Sequence, residues 1–204
     1  MKQVIAIDGV GGAGKTTVAH LLALRLGINL LPSGLLYRFL AWDITQKHSL
    51  KDALDHILEL KFRVAPDGVI AEYQGSNIYH YLMQNQIGTI ASKHIAQDAM
   101  VREALLPIQR EYALNESLVC EGRDMASVVF PECDVAVYLT ATLSVRNRRR
   151  GIVTAEDEKT LAQRDLQDMS RKVAPLTIHP KSHIIDTSYA TSEQVVDHIM
   201  ALIQ

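Results

Sequence analysis

Residues 9–16 have the types and spacing of a phosphate-binding loop. They read Gly9, Val10, Gly11, Gly12, Ala13, Gly14, Lys15 and Thr16, which matches the Walker A pattern G-x-x-x-x-G-K-[ST]. Backbone N–H groups can wrap a polyphosphate where few side chains intrude, and the positive N-terminal end of the following helix adds to the attraction. In this pattern Lys15 reaches the β- and γ-phosphates, and the Thr16 hydroxyl ligates Mg²⁺. We therefore predict an ATP site over residues 9–17, ending at Thr17, with Mg²⁺ as the cofactor; a simple glycine turn is the alternative.

A cluster of arginines follows a later strand-like run. Arg146, Arg148, Arg149 and Arg150 lie close together, and Arg164 and Arg171 come farther on. Phosphoryl transfer is catalysed largely by positioning and by cationic groups, and a closing cationic flap would also exclude water. A solvated basic face is the alternative interpretation. The sequence has no Asn-Lys-x-Asp motif of the guanine-reading type, so a small-molecule kinase is favoured over a GTPase-like switch.

Short apolar runs alternate with helical patterns along the chain. Residues 4–7, 118–120, 135–139 and 183–186 read as buried strands, and residues 28–31 as a possible fifth. Helices are predicted over residues 16–26, with Gly27 as the stop, and from Thr191, where Gln194 completes a capping box. Pro107 is expected to break or kink the helix over residues 101–112. The alternation predicts a layered α/β fold with a parallel sheet.

Two segments fit this core poorly. Residues 41–100 are mixed and polar at intervals, and they are predicted to form a small insert. Residues 146–165 are densely charged, and they are predicted to form a short lid. The core would then comprise residues 1–40 and 101–204.

Several stretches resemble the bacterial cytidylate kinase family, a branch of the nucleoside monophosphate kinases. The first is Ser33-Gly34-Leu35-Leu36-Tyr37-Arg38, and a helix motif follows at residues 101–106. The most specific are Glu121-Gly122-Arg123-Asp124-Met125 and the run of residues 164–176, which contains Arg164, Asp168 and Arg171. The resemblance implies a P-loop fold with five parallel strands, a nucleoside monophosphate-binding insert and a short lid.

The resemblance also implies roles for individual residues. Arg38, Arg123 and Arg171 would hold the acceptor phosphate, with Ser33 in the same motif. Asp168 and Arg164 would contact the sugar side of the acceptor. Arg149 and Arg150 would come from the lid and, with Lys15 and Arg164, form the catalytic set.

The resemblance assigns base reading to Arg102, Asp124 and Ser92. Asp124 can accept from the exocyclic amine of cytosine while Arg102 donates to the ring acceptors, whereas uracil has a carbonyl in place of the amine. An Arg123–Asp124 ion pair and a surface position for Arg102 are the alternatives. Ser92 is one residue farther from Arg102 than the family spacing.

Other positions near the expected site differ from the family or lie outside its motifs. Pro32 stands where the family has aspartate, and Met83 where arginine is common. Glu121, at a strand end, is expected to hold a Mg²⁺-bound water, the alternative being a carboxylate satisfied by backbone donors.

Composition excludes several other classes of protein. The 21 basic and 23 acidic residues leave a net charge of −2, which argues against a nucleic-acid coat protein. No apolar stretch is long enough for a membrane span, and no secretory signal is evident. Two cysteines are too few for a disulfide framework. The histidine spacing gives no case for a metal, and a cytoplasmic monomer is expected.

Together these features predict transfer of the γ-phosphoryl group of ATP to CMP or dCMP. The alternatives are a P-loop kinase for another nucleotide or small metabolite, and a non-catalytic nucleotide-binding homologue.

Overall fold

Strands and helices alternate along most of the chain. The structure, a computed structural model, describes residues 2–151, 155–171 and 173–203, except for the side chains of residues 155–161 and 164. The elements are β1 (Val4–Gly9), α1 (Lys15–Leu26), β2 (Asn29–Pro32), α2 (Ser33–Thr45), α3 (Leu50–His56), β3 (Lys61–Ala65), β4 (Gly68–Tyr73), β5 (Ser76–Asn77), α4 (Tyr79–Leu82), α5 (Asn85–Lys93), α6 (Ala99–Glu111), β6 (Leu118–Glu121), β7 (Val135–Thr140), α7 (Leu143–Arg149), α8 (Ala155–Ser170), β8 (His183–Asp186) and α9 (Ser192–Ile203). A π-helical turn, Met125–Val129, follows β6.

Five parallel strands form the central sheet, in the order β2-β6-β1-β7-β8. Ile5, Ala6 and Ile7 follow one another in β1 and are all fully buried. Because successive side chains of a strand point to opposite faces, both faces of this sheet are covered. The predicted layered α/β fold with a parallel sheet is confirmed.

The predicted ends of α1 and α9 are confirmed. Of the predicted break or kink at Pro107, the break is wrong and the kink stays a prediction. Gly27 ends α1 in the left-handed region, and Thr191 and Gln194 form the reciprocal contacts of a capping box at 2.9 and 3.2 Å. Helix α6 continues through Pro107 to Glu111. Its N-cap Asp98 accepts from the N–H of Met100, and its apolar face is buried. These contacts outweigh the backbone hydrogen bond that proline cannot make.

The segment between α2 and α6 contains a second, antiparallel sheet, β3-β4-β5. It packs on α2 through aromatic rings: the ring of Tyr73 in β4 lies 4.9 Å from that of Phe39 and 6.0 Å from that of Trp42, both in α2. Trp42 is thus a packing residue. His20 of α1 adds a 2.7 Å contact to the carbonyl of Ala65 in β3.

No described helix combines the length and the apolar character that a membrane crossing requires.

Phe39 is fully buried between α2 and the second sheet. We expect Phe39→Ala to lower the free energy of unfolding by about 3–5 kcal/mol, because it leaves a cavity that neighbouring rings cannot fill. Urea denaturation measures this loss. Tyr189→Ala is the control, since Tyr189 is 94% exposed and its loss should change the unfolding free energy by less than about 0.5 kcal/mol. Equal effects of the two substitutions would contradict the packing described here.

Candidate active site

The loop between β1 and α1 makes a close backbone approach that requires glycine. Gly9 has a φ of 147°, and a Cβ there would lie 2.0 Å from the carbonyl oxygen of Leu139 in β7. Gly12 has a φ of 80°, and a Cβ there would lie 3.0 Å from Cβ of Arg146. Both positions therefore exclude a side chain. The loop lies between β7 and α7, and helix α1 starts at its end.

Lys15 is buried at the start of α1, and its Nζ donates to the carbonyl oxygen of Val10 at 3.0 Å. Burial lowers the pKa of this ammonium from 10.5 to about 7, and the positive charge of Arg123 acts in the same direction. The carboxylate of Glu121 opposes this shift. A polyphosphate would restore the charged form of Lys15, because its negative charge compensates for the hydration that the ammonium loses on burial.

Thr16 and Glu121 provide oxygen atoms beside Lys15. The Thr16 hydroxyl donates to Oε1 of Glu121 at 3.0 Å. A hydroxyl and a carboxylate are hard oxygen donors of the kind that Mg²⁺ prefers, so these residues fit a magnesium site. Glu121 is also the register partner of Pro32 in the neighbouring strand. An aspartate at position 32, which the family has, would lie beside Glu121. With proline there, this pair of neighbouring positions carries only one acidic side chain.

A single cleft of about 620 Å³ lies over the carboxyl ends of these strands. It brings together most of the residues predicted from the sequence. Those lining it are Gly12, Ala13, Gly14, Lys15, Thr16, Thr17, Ser33, Arg38, Ser92, Arg102, Arg123, Asp124, Arg149, Arg150, Asp168 and Arg171. Gly9, Val10 and Gly11 lie in the same loop but do not line the cleft.

One wall of the cleft carries a buried ion pair between Arg102 of α6 and Asp124. Arg102 also donates to the carbonyl oxygen of Ala96 at 3.2 Å and lies 5.5 Å from the centre of the Tyr37 ring. Its Nε is buried and has no hydrogen-bond partner among the described residues. Arg102 is therefore not a surface arginine, which was one of the alternatives.

Arg123 pairs with Asp168 of α8 rather than with its neighbour Asp124. Its Nε donates to Oδ2 of Asp168 at 2.6 Å, and its Nη1 donates to the carbonyl oxygen of Gly9 at 2.7 Å. The carboxylate of Asp168 raises the pKa of Arg123 against the opposing effect of burial. Arg171 lies beside the same carboxylate, and its Nη2 is buried without a hydrogen-bond partner in the part of the chain described.

Helix α2 contributes two predicted residues from its first turns. Ser33, its first residue, is buried and lines the cleft. Arg38 donates to the carbonyl oxygen of Leu82 at 2.6 Å, which joins α2 to α4. Ser92 lines the cleft from α5, where its hydroxyl donates to the carbonyl oxygen of Thr89 at 3.3 Å.

The arginines at the end of α7 meet the phosphate loop. Arg149 donates to the hydroxyl and carbonyl oxygens of Thr187 at 2.8 and 2.6 Å. The Thr187 hydroxyl donates to the carbonyl oxygen of Ala13 at 3.0 Å, so it links Arg149 to the loop. Arg150 lines the same cleft. The side chain of Arg164 lies outside the described residues, as do residues 152–154 of the predicted lid.

Sequence reasoning missed Asp8, Asp165 and Thr187. Asp165 accepts from the N–H of Gly11 at 3.0 Å and pairs with Arg146, so it ties α8 and α7 to the phosphate loop. Thr187 follows β8 with no motif of its own. Asp8 did carry a signal, since an acidic residue ends a run of buried strand positions directly before the loop.

Asp8 fixes the segment that carries Asp124. Its two carboxylate oxygens accept from the N–H groups of Met125 and Ala126 at 2.9 and 2.8 Å. Burial raises the pKa of the Asp8 carboxyl from 3.8 to about 6, although both N–H groups oppose the shift. The strand that leads into the phosphate loop therefore also holds the opposite wall of the cleft.

The architecture is that of the P-loop kinases. A solved shikimate kinase from Bacteroides thetaiotaomicron shares the fold with a TM-score of 0.53, at 16% sequence identity over 98% of each chain. Within that class, the sequence profile described as Cytidylate kinase matches residues 5–204. The chain belongs to the cytidylate kinase family.

Two curated relatives share this assignment. The cytidylate kinase of Azotobacter vinelandii is 40% identical over 97% of this chain and 93% of its own length. The cytidylate kinase of Pseudomonas fluorescens is 38% identical, also over 97% of this chain and 93% of its own length.

We expect Asp8→Asn to change how stability depends on pH. Because the carboxyl has a raised pKa in the folded protein, its contribution is present below pH 3.8 and is lost as pH rises through about 6. The stability of the starting protein relative to Asp8→Asn should thus fall by up to about 3 kcal/mol between pH 4 and pH 7.

Urea unfolding of both proteins across this pH range measures the difference. A difference that does not change with pH would contradict the raised pKa. Asp67→Asn is the control, since Asp67 lies exposed in the turn between β3 and β4.

Proposed function

We propose that this protein transfers the γ-phosphoryl group of ATP to CMP or dCMP, giving ADP and the nucleoside diphosphate. One observation carries the proposal: the phosphate loop and the buried Arg102–Asp124 pair line the same cleft. A triphosphate on the loop and a base on the pair would therefore occupy one cavity. Membership in the cytidylate kinase family supports the same reaction.

The donor side consists of the loop, Lys15 and the start of α1. Loop N–H groups and the helix N-terminus hold the triphosphate, and Lys15 neutralises the charge on its outer phosphates. Thr16 would ligate Mg²⁺ and Glu121 would hold one of its waters; when bound, the ion supplies positive charge across the β- and γ-phosphates. Arg149 and Arg150 complete this cage from the end of α7, and Arg164 is assigned to it from α8.

The acceptor side consists of arginines that surround the monophosphate. Arg38, Arg123 and Arg171 are assigned to the phosphate. The buried Nη2 of Arg171, which makes no hydrogen bond within the described part of the chain, supports this. Ser33 lies in the same wall, and Asp168 and Arg164 are assigned to the sugar. No strong base is needed, because the attacking atom is already an anionic phosphate oxygen. Catalysis is thus a matter of alignment and charge.

Base selection rests on the Arg102–Asp124 pair. Asp124 accepts from the exocyclic amine of cytosine. Arg102 donates to the ring acceptors through its Nε, which has no hydrogen-bond partner among the described residues. Uracil would place a carbonyl against the Asp124 carboxylate, which costs about 1–3 kcal/mol. Ser92 is assigned to the base edge. The expectation of a cytoplasmic monomer that binds no nucleic acid stays a prediction.

We expect Lys15→Ala to lower turnover by at least about a hundredfold while the fold is retained, because the migrating charge loses its nearest cation. A coupled assay of ADP release measures turnover, and circular dichroism checks the fold. Lys181→Ala is the matched control, since Lys181 is exposed away from the cleft. Unchanged turnover of Lys15→Ala would refute the role given to this lysine.

A second measurement separates this role from a structural one. At pH 8 a lysine with a pKa of about 7 is mostly neutral, and a bound triphosphate should charge it. Calorimetry of Mg–ATP binding in two buffers of different ionisation enthalpy should then show uptake of up to about one proton. Lys15→Ala should show none.

We expect Asp124→Ala to reduce the preference for CMP over UMP by about tenfold, which corresponds to the loss of one polar base contact. The ratio of kcat/KM for CMP to kcat/KM for UMP, determined for Asp124→Ala, measures this preference. Asp67→Ala is the control, and its ratio should equal that of the starting protein. An unaffected ratio would place base reading elsewhere. AMP and several small metabolites belong in the same panel, since activity with none of these acceptors would favour a non-catalytic binding protein.

A further inference from the structure

Three side chains of metal-binding type converge near the end of α2, away from the cleft. Asp43 belongs to the last turn of α2, His48 to the turn that follows and His56 to the end of α3. Their ligand atoms all lie within 4.8 Å of one another. The sequence spacing gave no sign of this, because the three residues meet only when α3 folds back towards α2.

The two histidines share one carboxylate. Nδ1 of His48 lies 2.9 Å from Oδ1 of Asp43, and Nδ1 of His56 lies 2.9 Å from Oδ2. The side chain of Asp43 is 1% exposed, whereas those of His48 and His56 are 43% and 31% exposed. The buried carboxylate is therefore reached from solvent past the two imidazoles.

The turn that presents His48 is held in place locally. Ser49 caps α3 through a reciprocal box with Asp52, with bonds of 3.1 and 2.9 Å. Lys47, on the other side of His48, has a φ of 73°. Because the backbone on both sides of His48 is constrained, the turn loses little further conformational entropy when His48 binds a ligand.

The acidic side chains of Asp43, Asp52 and Glu59 all act electrostatically on His56. A buried carboxylate is stabilised by hydrogen bonds or by positive charge. A divalent cation bound beside Asp43 would supply positive charge to this acidic cluster.

We propose that Asp43, His48 and His56 bind a divalent transition-metal ion, Zn²⁺, with water completing a four-coordinate site. Two imidazole nitrogens and one carboxylate oxygen are a ligand set that Zn²⁺ accepts, at distances of about 2.0–2.2 Å. Ligands of such an ion lie about 3.3 Å apart in a tetrahedron. The two 2.9 Å contacts, which go to different oxygens of Asp43, would lengthen by a few tenths of an ångström. The widest separation of the three ligand atoms, which is at most 4.8 Å, would shorten to the same value through side-chain rotation. The ion would join α3 to the helix whose first turns carry Ser33 and Arg38.

The test is a titration of the full chain with Zn²⁺ after dialysis against a chelator. Calorimetry should show one equivalent bound, and the melting temperature should rise on addition of the ion. His48→Gln and His56→Gln should each weaken binding by more than about tenfold. Glutamine can still donate to Asp43 but is a poor zinc ligand, so the fold should be retained. His198→Gln is the matched control, because His198 is exposed on α9.

Co²⁺ gives an independent readout, since a site of low coordination number with imidazole ligands absorbs in the visible. This absorption should disappear in the His48→Gln/His56→Gln double variant. The proposal is overturned if the starting protein binds no zinc, or if the double variant binds it as tightly as the starting protein. If circular dichroism shows that the double variant does not fold, His48→Gln alone decides, because His48 is the more exposed ligand.

Discussion

Three hydrogen bonds at the end of β1 hold both halves of the cleft in place. The carboxylate of Asp8 accepts from the N–H groups of Met125 and Ala126, and the carbonyl oxygen of Gly9 accepts from Arg123. The strand that leads into the phosphate loop therefore also positions the segment that carries Asp124. These groups are shielded from water, so a lost partner would leave a buried polar group unsatisfied, at about 1–3 kcal/mol. The geometry of the donor and acceptor sides depends on this one junction.

Three arginines in or next to the cleft are oriented by ion pairs with carboxylates. Arg102 pairs with Asp124, Arg123 with Asp168 and Arg146 with Asp165. This pairing explains how a chain of net charge −2 can concentrate so many cations around one cleft. Each guanidinium is held in one orientation, which lowers the entropy that a ligand must remove. A phosphate gains from this preorganisation but must share the arginines with their carboxylates.

Local patterns predicted the fold better than they predicted the partners within the site. Glycine spacing, β-branched runs and the capping box at Thr191 are properties of neighbouring residues, and each led to the correct element. Arg123 pairs with Asp168 rather than with Asp124 because α8 packs beside it. Asp168 is 45 residues away in the sequence, so no local pattern indicates this pair. The Asp43 cluster depends on a helix folding back on its neighbour. The helix is not broken at Pro107, because burial of one helix face outweighs the local preference against proline.

Two buried donors in the cleft, Nε of Arg102 and Nη2 of Arg171, have no acceptor among the described residues. Such groups lower the stability of the free protein, because burial removes water without replacing its hydrogen bond. Such donors are tolerated where a ligand supplies the missing acceptors. One of the two belongs to the Arg102–Asp124 pair, and the other lies beside Asp168. A molecule with both a polar ring edge and a phosphate can satisfy the two together. Its binding energy is then linked to folding stability by mass action, so the acceptor that fits best also stabilises the cleft most.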